Sequence, residues 1–307
     1  MLSEEQIAQF HRDGFLILRA MFQGEELEKL RHAADAVQAE GEAGTGEHHL
    51  YWDKADGSKT YYRSEYMWDR GDIFRAVTVK PDLLACIAQC TGHPFMPIND
   101  SFVCKIPGGD VPVPWHQDPP YGGPEGDAET FAIPNFDVDI YLDESSLENG
   151  CVWGIPGHHL VGHVEVENFT QEQLFNELSA IPMEMQSGDV LFHCISAPHG
   201  SIGNVTGSVR RIFYIHYTPR EVYEQCYPMW RDHKLAYTAA GFALVRDMLS
   251  IRRDCGWGGI DDTSVTYTDG VGFEFVDEPG TQPRHWETLI AAMSADEIQR
   301  KKKLEWT

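Results

Sequence analysis

The sequence predicts a mainly β protein with flanking α-helices, built as one domain around an antiparallel double-sheet barrel. Three observations carry that expectation. Apolar residues recur at helical spacing through residues 1–97, at a spacing of two over 98–218, and at helical spacing again within 219–307. The β-patterned stretches are short and separated by Gly, Pro and Asp turns, as in a jelly roll. No internal repeat or long low-complexity linker divides the chain, and 307 residues can bury a substantial core as a single domain 1–307.

Each element has a local cause. Ser3-Glu4-Glu5-Gln6 has the capping-box pattern and opens a helix that ends at Asp13-Gly14. Phe15 to Leu18 reads as a brief apolar strand. Leu27, Leu30, Ala33, Ala34 and Val37 give a second helix from about Gly24 to Ala39, which Gly41 is expected to close. Residues 41–60, rich in Gly, Glu and Asp, read as a mobile loop that leaves His48-His49 in solvent. Tyr61, Tyr62, Tyr66 and Trp68 read as packing. Pro81 starts a helix whose apolar face carries Leu83, Leu84, Cys86, Ile87 and Cys90. Strands are expected over 100–106, 113–118, 136–142, 151–155, 181–186, 190–194 and 209–217, with Ser187-Gly188-Asp189 as a tight turn. Thr170-Gln171-Glu172-Gln173 caps a helix inserted among them. Past Pro219 the helical pattern runs to about Arg253 and resumes near 287–303, where Arg300 to Lys303 form a solvated helix end suited to the helix dipole.

Composition narrows the partners. With a formal net charge of −24, nucleic acid and anionic membranes are poor matches, and a small-molecule substrate is expected. No apolar run approaches the roughly 20 residues of a membrane span. The acidic, polar start Met1-Leu2-Ser3-Glu4-Glu5-Gln6 lacks a signal-peptide pattern. Seven dispersed cysteines without a CxxC pair suit reduced thiols, so a cytoplasmic setting is expected.

The chemistry gathers at the ends of the expected strands. His116-Gln117-Asp118 places an imidazole and a carboxylate on the same side of an extended segment. His199 would complete a two-His-one-carboxylate set, which leaves positions of Fe(II) open for a co-substrate and O2. Arg210, on the next β-patterned run, could clamp a carboxylate co-substrate through its planar fork. The expected activity is that of a non-haem iron oxygenase. A metal-dependent isomerase or hydrolase, or a metabolite-binding protein, could use a similar barrel but would not need Arg210. Strand 136–142 has Phe136, Val138, Ile140 and Leu142 on one face and Asp137, Asp139 and Tyr141 on the other. That pattern is either a strand with a solvated face or one whose Asp137 or Asp139 meets a polar or cationic substrate group. Lys105 is a candidate anion contact near the cavity mouth. His193 reads as a neighbour of the ligand set, His158-His159 as shaping a turn, and His216 as sharing the inward face with Arg210.

Several stretches together resemble the phytanoyl-CoA dioxygenase family of Fe(II)/2-oxoglutarate oxygenases. They are His11-Arg12-Asp13-Gly14-Phe15, Trp115-His116-Gln117-Asp118 with Tyr121, Glu148-Asn149-Gly150-Cys151 through Pro156-Gly157-His158, and Gly188-Asp189-Val190 through His199-Gly200-Ser201, Asn204 and Arg210. The resemblance covers about residues 5 to 218. It implies a double-stranded β-helix (jelly-roll, cupin-like) core and places iron on His116, Asp118 and His199. It also implies 2-oxoglutarate on Arg210, with the Ser201 hydroxyl as a second contact. Similar halogenating enzymes carry Ala or Gly at the carboxylate position. The Asp118 carboxylate therefore implies oxygenation, releasing succinate and CO2. Hydroxylation of a small specialised metabolite or amino-acid-like molecule is expected, with desaturation, cyclisation or epoxidation as alternative outcomes. Residues 41–68 and those after 220, both rich in Tyr and Trp, are candidate lids.

Overall fold

The change of apolar period near residue 98 marks the passage from helices to sheet. A computed structural model describes residues 1–118, 133–176, 180–226, 236–276 and 286–304. In the first part α1 (Glu4–Asp13), β1 (Phe15–Leu18) and α2 (Gly24–Ala43) precede the hairpin β2 (His49–Asp53) and β3 (Lys59–Glu65), then α3 (Asp72–Thr78) and α4 (Pro81–Thr91). The strand-rich part holds β4 (Phe95–Lys105), β5 (Val113–His116), β6 (Phe136–Tyr141), β7 (Val152–Gly154), α5 (Gln171–Asn176), β8 (Ile181–Met183), β9 (Val190–Cys194), β10 (His199–Ser201) and β11 (Arg210–Pro219). After it come α6 (Arg220–Cys226), α7 (Ala239–Asp254), the pair β12 (Val265–Thr268) and β13 (Gly272–Phe275), α8 (Glu287–Ala292) and α9 (Ala295–Lys302).

Two antiparallel sheets form the jelly roll. The larger runs β1-β9-β6-β11-β4-β13-β12, and the β2–β3 hairpin also joins it through β4. The smaller runs β5-β10-β7-β8. Helices cover the outer face of the larger sheet. Phe10 of α1 meets Phe136 of β6 edge-on at 4.9 Å, and Phe74 of α3 meets Phe213 of β11 at 5.2 Å. Both faces of β6 are therefore buried: Phe136, Val138 and Ile140 pack outward under helices, and Asp137, Asp139 and Tyr141 point inward. A solvated face on this strand is excluded.

Local signals work as physics requires. Ser3 Oγ accepts from Gln6 N at 3.2 Å while Gln6 Oε1 accepts from Ser3 N at 3.0 Å, closing the capping box. Gly188 turns the chain into β9 at φ 89°, and a Cβ there would lie 2.1 Å from the carbonyl oxygen of Phe22. Cys86 and Cys90 are buried in the core, as their helical face predicts. No helix among the described residues is long and apolar enough to cross a membrane.

Four expectations need correction. The second helix runs through Gly41 to Ala43, and Gly44 caps it in the left-handed region. Gly41 is a packing residue instead: a Cβ there would lie 2.4 Å from the Tyr61 ring. Residues 41–60 are not one loop, because the β2–β3 hairpin occupies most of the second half; their Gly and Asp content hid it. His49 lies inside that hairpin with its Nδ1 2.8 Å from Ser64 Oγ, whereas His48 is exposed. The last helix is two, since Ser294 caps α9 by accepting from Glu297 N at 3.1 Å.

Candidate active site

Cross-strand register sets the inward rows of the larger sheet. Arg210 pairs with Lys105, Ile212 with Val103, Tyr214 with Ser101 and His216 with Asn99. Across the other edge of β11, Tyr214 pairs with Asp139 and His216 with Asp137, and Asp137 pairs in turn with His193 of β9. Facing partners in an antiparallel ladder share one side, so these residues look toward the smaller sheet. Between the sheets lies a cavity of about 370 Å³.

The triad approaches from the smaller sheet. His116 ends β5 and pairs with His199 of β10, with their rings 4.3 Å apart. His116 Nδ1 faces Pro114 O at 2.8 Å and His199 Nδ1 faces Ala197 O at 3.0 Å. A carbonyl can only accept, so each Nδ1 donates and each Nε2 is left as the nitrogen a metal would take. Asp118 completes the set: Oδ1 is 3.4 Å from His116 Nε2 and Oδ2 is 3.6 Å from His199 Nε2. One ligand atom from each of the three lies within 4.8 Å of the others. Gln117 explains why the segment holds still. Its Nε2 donates to Gly162 O and Ser196 O, and its Oε1 accepts from Val164 N.

Electrostatics suit ligation. Burial alone would raise the Asp118 pKa, but His199, His116 and His193 outweigh it and hold the carboxyl well below its ordinary value. Burial and then His116 push His199 down to about 3, which keeps its ring neutral. Two imidazoles and one carboxylate with a side open to the cavity fit a divalent iron, which would displace the proton that Asp118 favours on His116. The co-substrate end fits as well. Arg210 is buried, yet among the described residues its Nε and Nη1 find no hydrogen-bond partner, and neither does the buried hydroxyl of Tyr141. Unsatisfied buried donors are costly, and a carboxylate would satisfy them.

The remaining predicted residues divide. Ser201 and Asp137 line the cavity with the triad and Arg210. Asp139 shares the inward face but is fully buried beneath His193, whose Nδ1 is 2.9 Å from Asp139 Oδ2. Lys105 turns away: its Nζ donates to Val111 O and Ile202 O, and it is not among the cavity-lining residues. Tyr121 lies outside the described residues. His193 sits beside the triad, its Nε2 3.6 Å from Asp118 Oδ2 and 3.8 Å from Asp137 Oδ2. His216 Nδ1 is 3.0 Å from Asp137 Oδ1. Burial opposes ionisation of Asp137, but His216 and His193 lower its pKa. Trp52, Tyr62 and Arg63 of the β2–β3 hairpin also line the cavity. Sequence reading took Tyr62 as packing, or within 41–68 as part of a lid, and overlooked Arg63 and Gln117. The only signal for Arg63 was a cation in an aromatic, strand-length stretch.

Comparison with known proteins agrees with this geometry. A family model described as Phytanoyl-CoA dioxygenase (PhyH) matches residues 10–212. The methylphosphonate hydroxylase of Gimesia maris is 25% identical over 218 residues, covering 70% of this chain and 80% of that protein. Two solved structures share the fold. AviO1 from Streptomyces viridochromogenes has a TM-score of 0.56 at 24% identity, over 70% of this chain and 94% of that one. EctD from S. alaskensis, solved with 2-oxoglutarate and 5-hydroxyectoine, has a TM-score of 0.56 at 20% identity, over 72% of this chain and 77% of that one. The chain belongs to the phytanoyl-CoA dioxygenase family and is a non-haem iron, 2-oxoglutarate-dependent dioxygenase with a jelly-roll core.

Proposed function

We propose that this enzyme hydroxylates an unactivated C–H bond of a small, polar, amino-acid-like metabolite. One observation carries the reading: His116, His199, ionised Asp118 and a buried Arg210 whose Nε and Nη1 meet no partner among the described residues face one cavity. His116, Asp118 and His199 would hold Fe(II), and Arg210 with Ser201 would hold the distal carboxylate of 2-oxoglutarate. Bound iron, 2-oxoglutarate and O2 supply an oxidant strong enough to remove hydrogen from such a bond, with succinate and CO2 released.

The chain's own side chains do the rest. Hydrogen bonds from His116 and His199 to backbone carbonyls keep both ligating nitrogens aimed, and Gln117 anchors the peptide between His116 and Asp118. Asp118 occupies the place a halide would need, so halogenation is disfavoured. Trp52 and Tyr62 wall the cavity and restrict water. Asp137, ionised at the cavity wall, offers an oxygen to a polar or cationic substrate group. Asp139 instead positions His193. The hydroxylase name of the Gimesia maris relative also supports hydroxylation.

The test is anaerobic purification, addition of Fe(II) and 2-oxoglutarate, and measurement of succinate on admitting O2 with and without small amino acids and amines. Succinate formation stimulated by one of them, together with its hydroxylated product, is expected. Failure of the wild-type protein to bind 2-oxoglutarate, or an active His199→Ala variant, would refute the reading.

A further inference from the structure

The cavity contains a second arginine whose placement differs from that of Arg210. Arg63 lies on β3 opposite Val103 of β4, and Val103 lines the cavity. Its aim is a built feature. In the β2–β3 hairpin Leu50 pairs with Arg63 but Tyr51 pairs with Tyr61, so Tyr62 is the extra residue of a β-bulge. A bulge breaks the alternation of sides and re-aims neighbouring side chains, and here Tyr62 and Arg63, consecutive in sequence, both line the cavity.

The guanidinium is oriented but not consumed. Its Nε donates to Glu65 Oε1 at 2.5 Å, and its two terminal nitrogens make no hydrogen bond among the described residues. The Arg63 side chain keeps 35% of its exposure, whereas Arg210 is 1% exposed, so the two cations sit at the open and closed parts of one cavity. Burial opposes the Arg63 charge, yet Glu65 and then Asp118 and Tyr214 raise its pKa above the ordinary value. Trp52 and Tyr62 flank this end with rings crossed at 87° and centroids 6.4 Å apart. A planar two-donor fork beside aromatic walls suits a small organic oxyanion.

We infer that Arg63 binds an anionic group of the oxidised substrate, a carboxylate or a phosphonate, while Arg210 serves the co-substrate. The inference rests on the dioxygenase reading of the site. With Asp137 lining the same cavity from β6, three strands away across the larger sheet, the cavity then takes a molecule that carries an anionic end and a polar or cationic one.

Calorimetry on the anaerobic protein, loaded with Fe(II) and saturating 2-oxoglutarate, tests this with methylphosphonate, butyrate and propylamine as probes. The wild type should bind methylphosphonate or butyrate, and whichever binds identifies the oxyanion. Arg63→Gln should weaken that binding at least tenfold, and Arg63→Lys at least threefold because it keeps the charge without the fork. Affinity for 2-oxoglutarate should stay within twofold in both, which also shows that the variants are folded; should Arg63→Gln not fold, Arg63→Lys carries the comparison. Oxyanion binding indifferent to the folded variants overturns the inference. So does binding of propylamine alone, or of no probe, by a wild type that takes up 2-oxoglutarate. A wild type that does not bind 2-oxoglutarate overturns the dioxygenase reading instead.

Discussion

Replacing Arg210 by Met should move stability and co-substrate binding in opposite directions. Arg210 is 1% exposed, and its Nε and Nη1 have no partner among the described residues. Next to it, burial and the charge of Arg210 drive the Lys105 pKa well below its ordinary value, the mark of a poorly solvated place that disfavours positive charge. Without co-substrate, Arg210→Met removes an uncompensated buried charge while keeping an unbranched chain, a gain of about 1–3 kcal/mol. At this chain length that corresponds to a melting temperature higher by several degrees, roughly 2–4 °C per kcal/mol. With co-substrate the same change deletes two charge-assisted hydrogen bonds worth about 1.5–3 kcal/mol each. A combined loss of about 4 kcal/mol weakens 2-oxoglutarate binding about 1,000-fold. Scanning calorimetry of the metal-free protein and anaerobic titration of the Fe(II) form with 2-oxoglutarate measure the two halves. An unchanged 2-oxoglutarate affinity, or a lowered melting temperature without co-substrate, would refute the assignment of Arg210.

Three further outcomes follow from the geometry. His199→Ala should lower iron bound after anaerobic loading and desalting to below about a tenth of the wild-type level, as read by metal analysis, because two ligands cannot close the set; full iron occupancy would remove His199 from it. Gly188→Ala should destabilise the protein by about 2–3 kcal/mol in chemical unfolding, since the left-handed backbone is strained and the new Cβ meets the Phe22 carbonyl; a change under about 0.5 kcal/mol contradicts the turn. Asp100, buried with its Oδ2 accepting from Trp68 N at 2.7 Å, has its pKa raised by burial to about 7. Its folded-state value exceeds the unfolded one, so its contribution is complete below about pH 3.9 and is lost as pH rises through 7. Asp100→Asn should therefore gain stability over wild type by about 2–4 kcal/mol at pH 8 and show little difference at pH 4; equal offsets at both pH values would exclude the effect.

Much of the fold was legible because local and global preferences agree. Capping at Ser3, Pro81 at a helix start and the short apolar run over 190–194 each act within a few residues, and the structure keeps them. Elements that lack such signals were missed. His199-Gly200-Ser201 is too short to show a period, and it is a strand because β5 and β7 flank it. The β2–β3 hairpin was hidden by a Gly- and Asp-rich composition, although Trp52 and Tyr62 now face the cavity. The triad was legible from residue type, and Arg210 from its place after His199. Gln117 and Arg63 were not, because their roles depend on carbonyls or strands distant in sequence.

By itself the sequence determined the identity and order of the chemical groups: a His-x-Asp pair, a distal His, and an Arg on the following strand. It also determined the alternation that puts Asp137, Asp139 and Tyr141 on one side of a strand. The direction of that side was decided only by the tertiary structure. Alternation is symmetric about a strand, and here helices cover the apolar face, so the acidic face turns inward. Equal chemistry then separates by a few ångströms: Asp137 reaches the cavity while Asp139 lies under His193. Lys105 and Arg210 face each other across a ladder, yet backbone carbonyls capture only the lysine, leaving the arginine for a ligand.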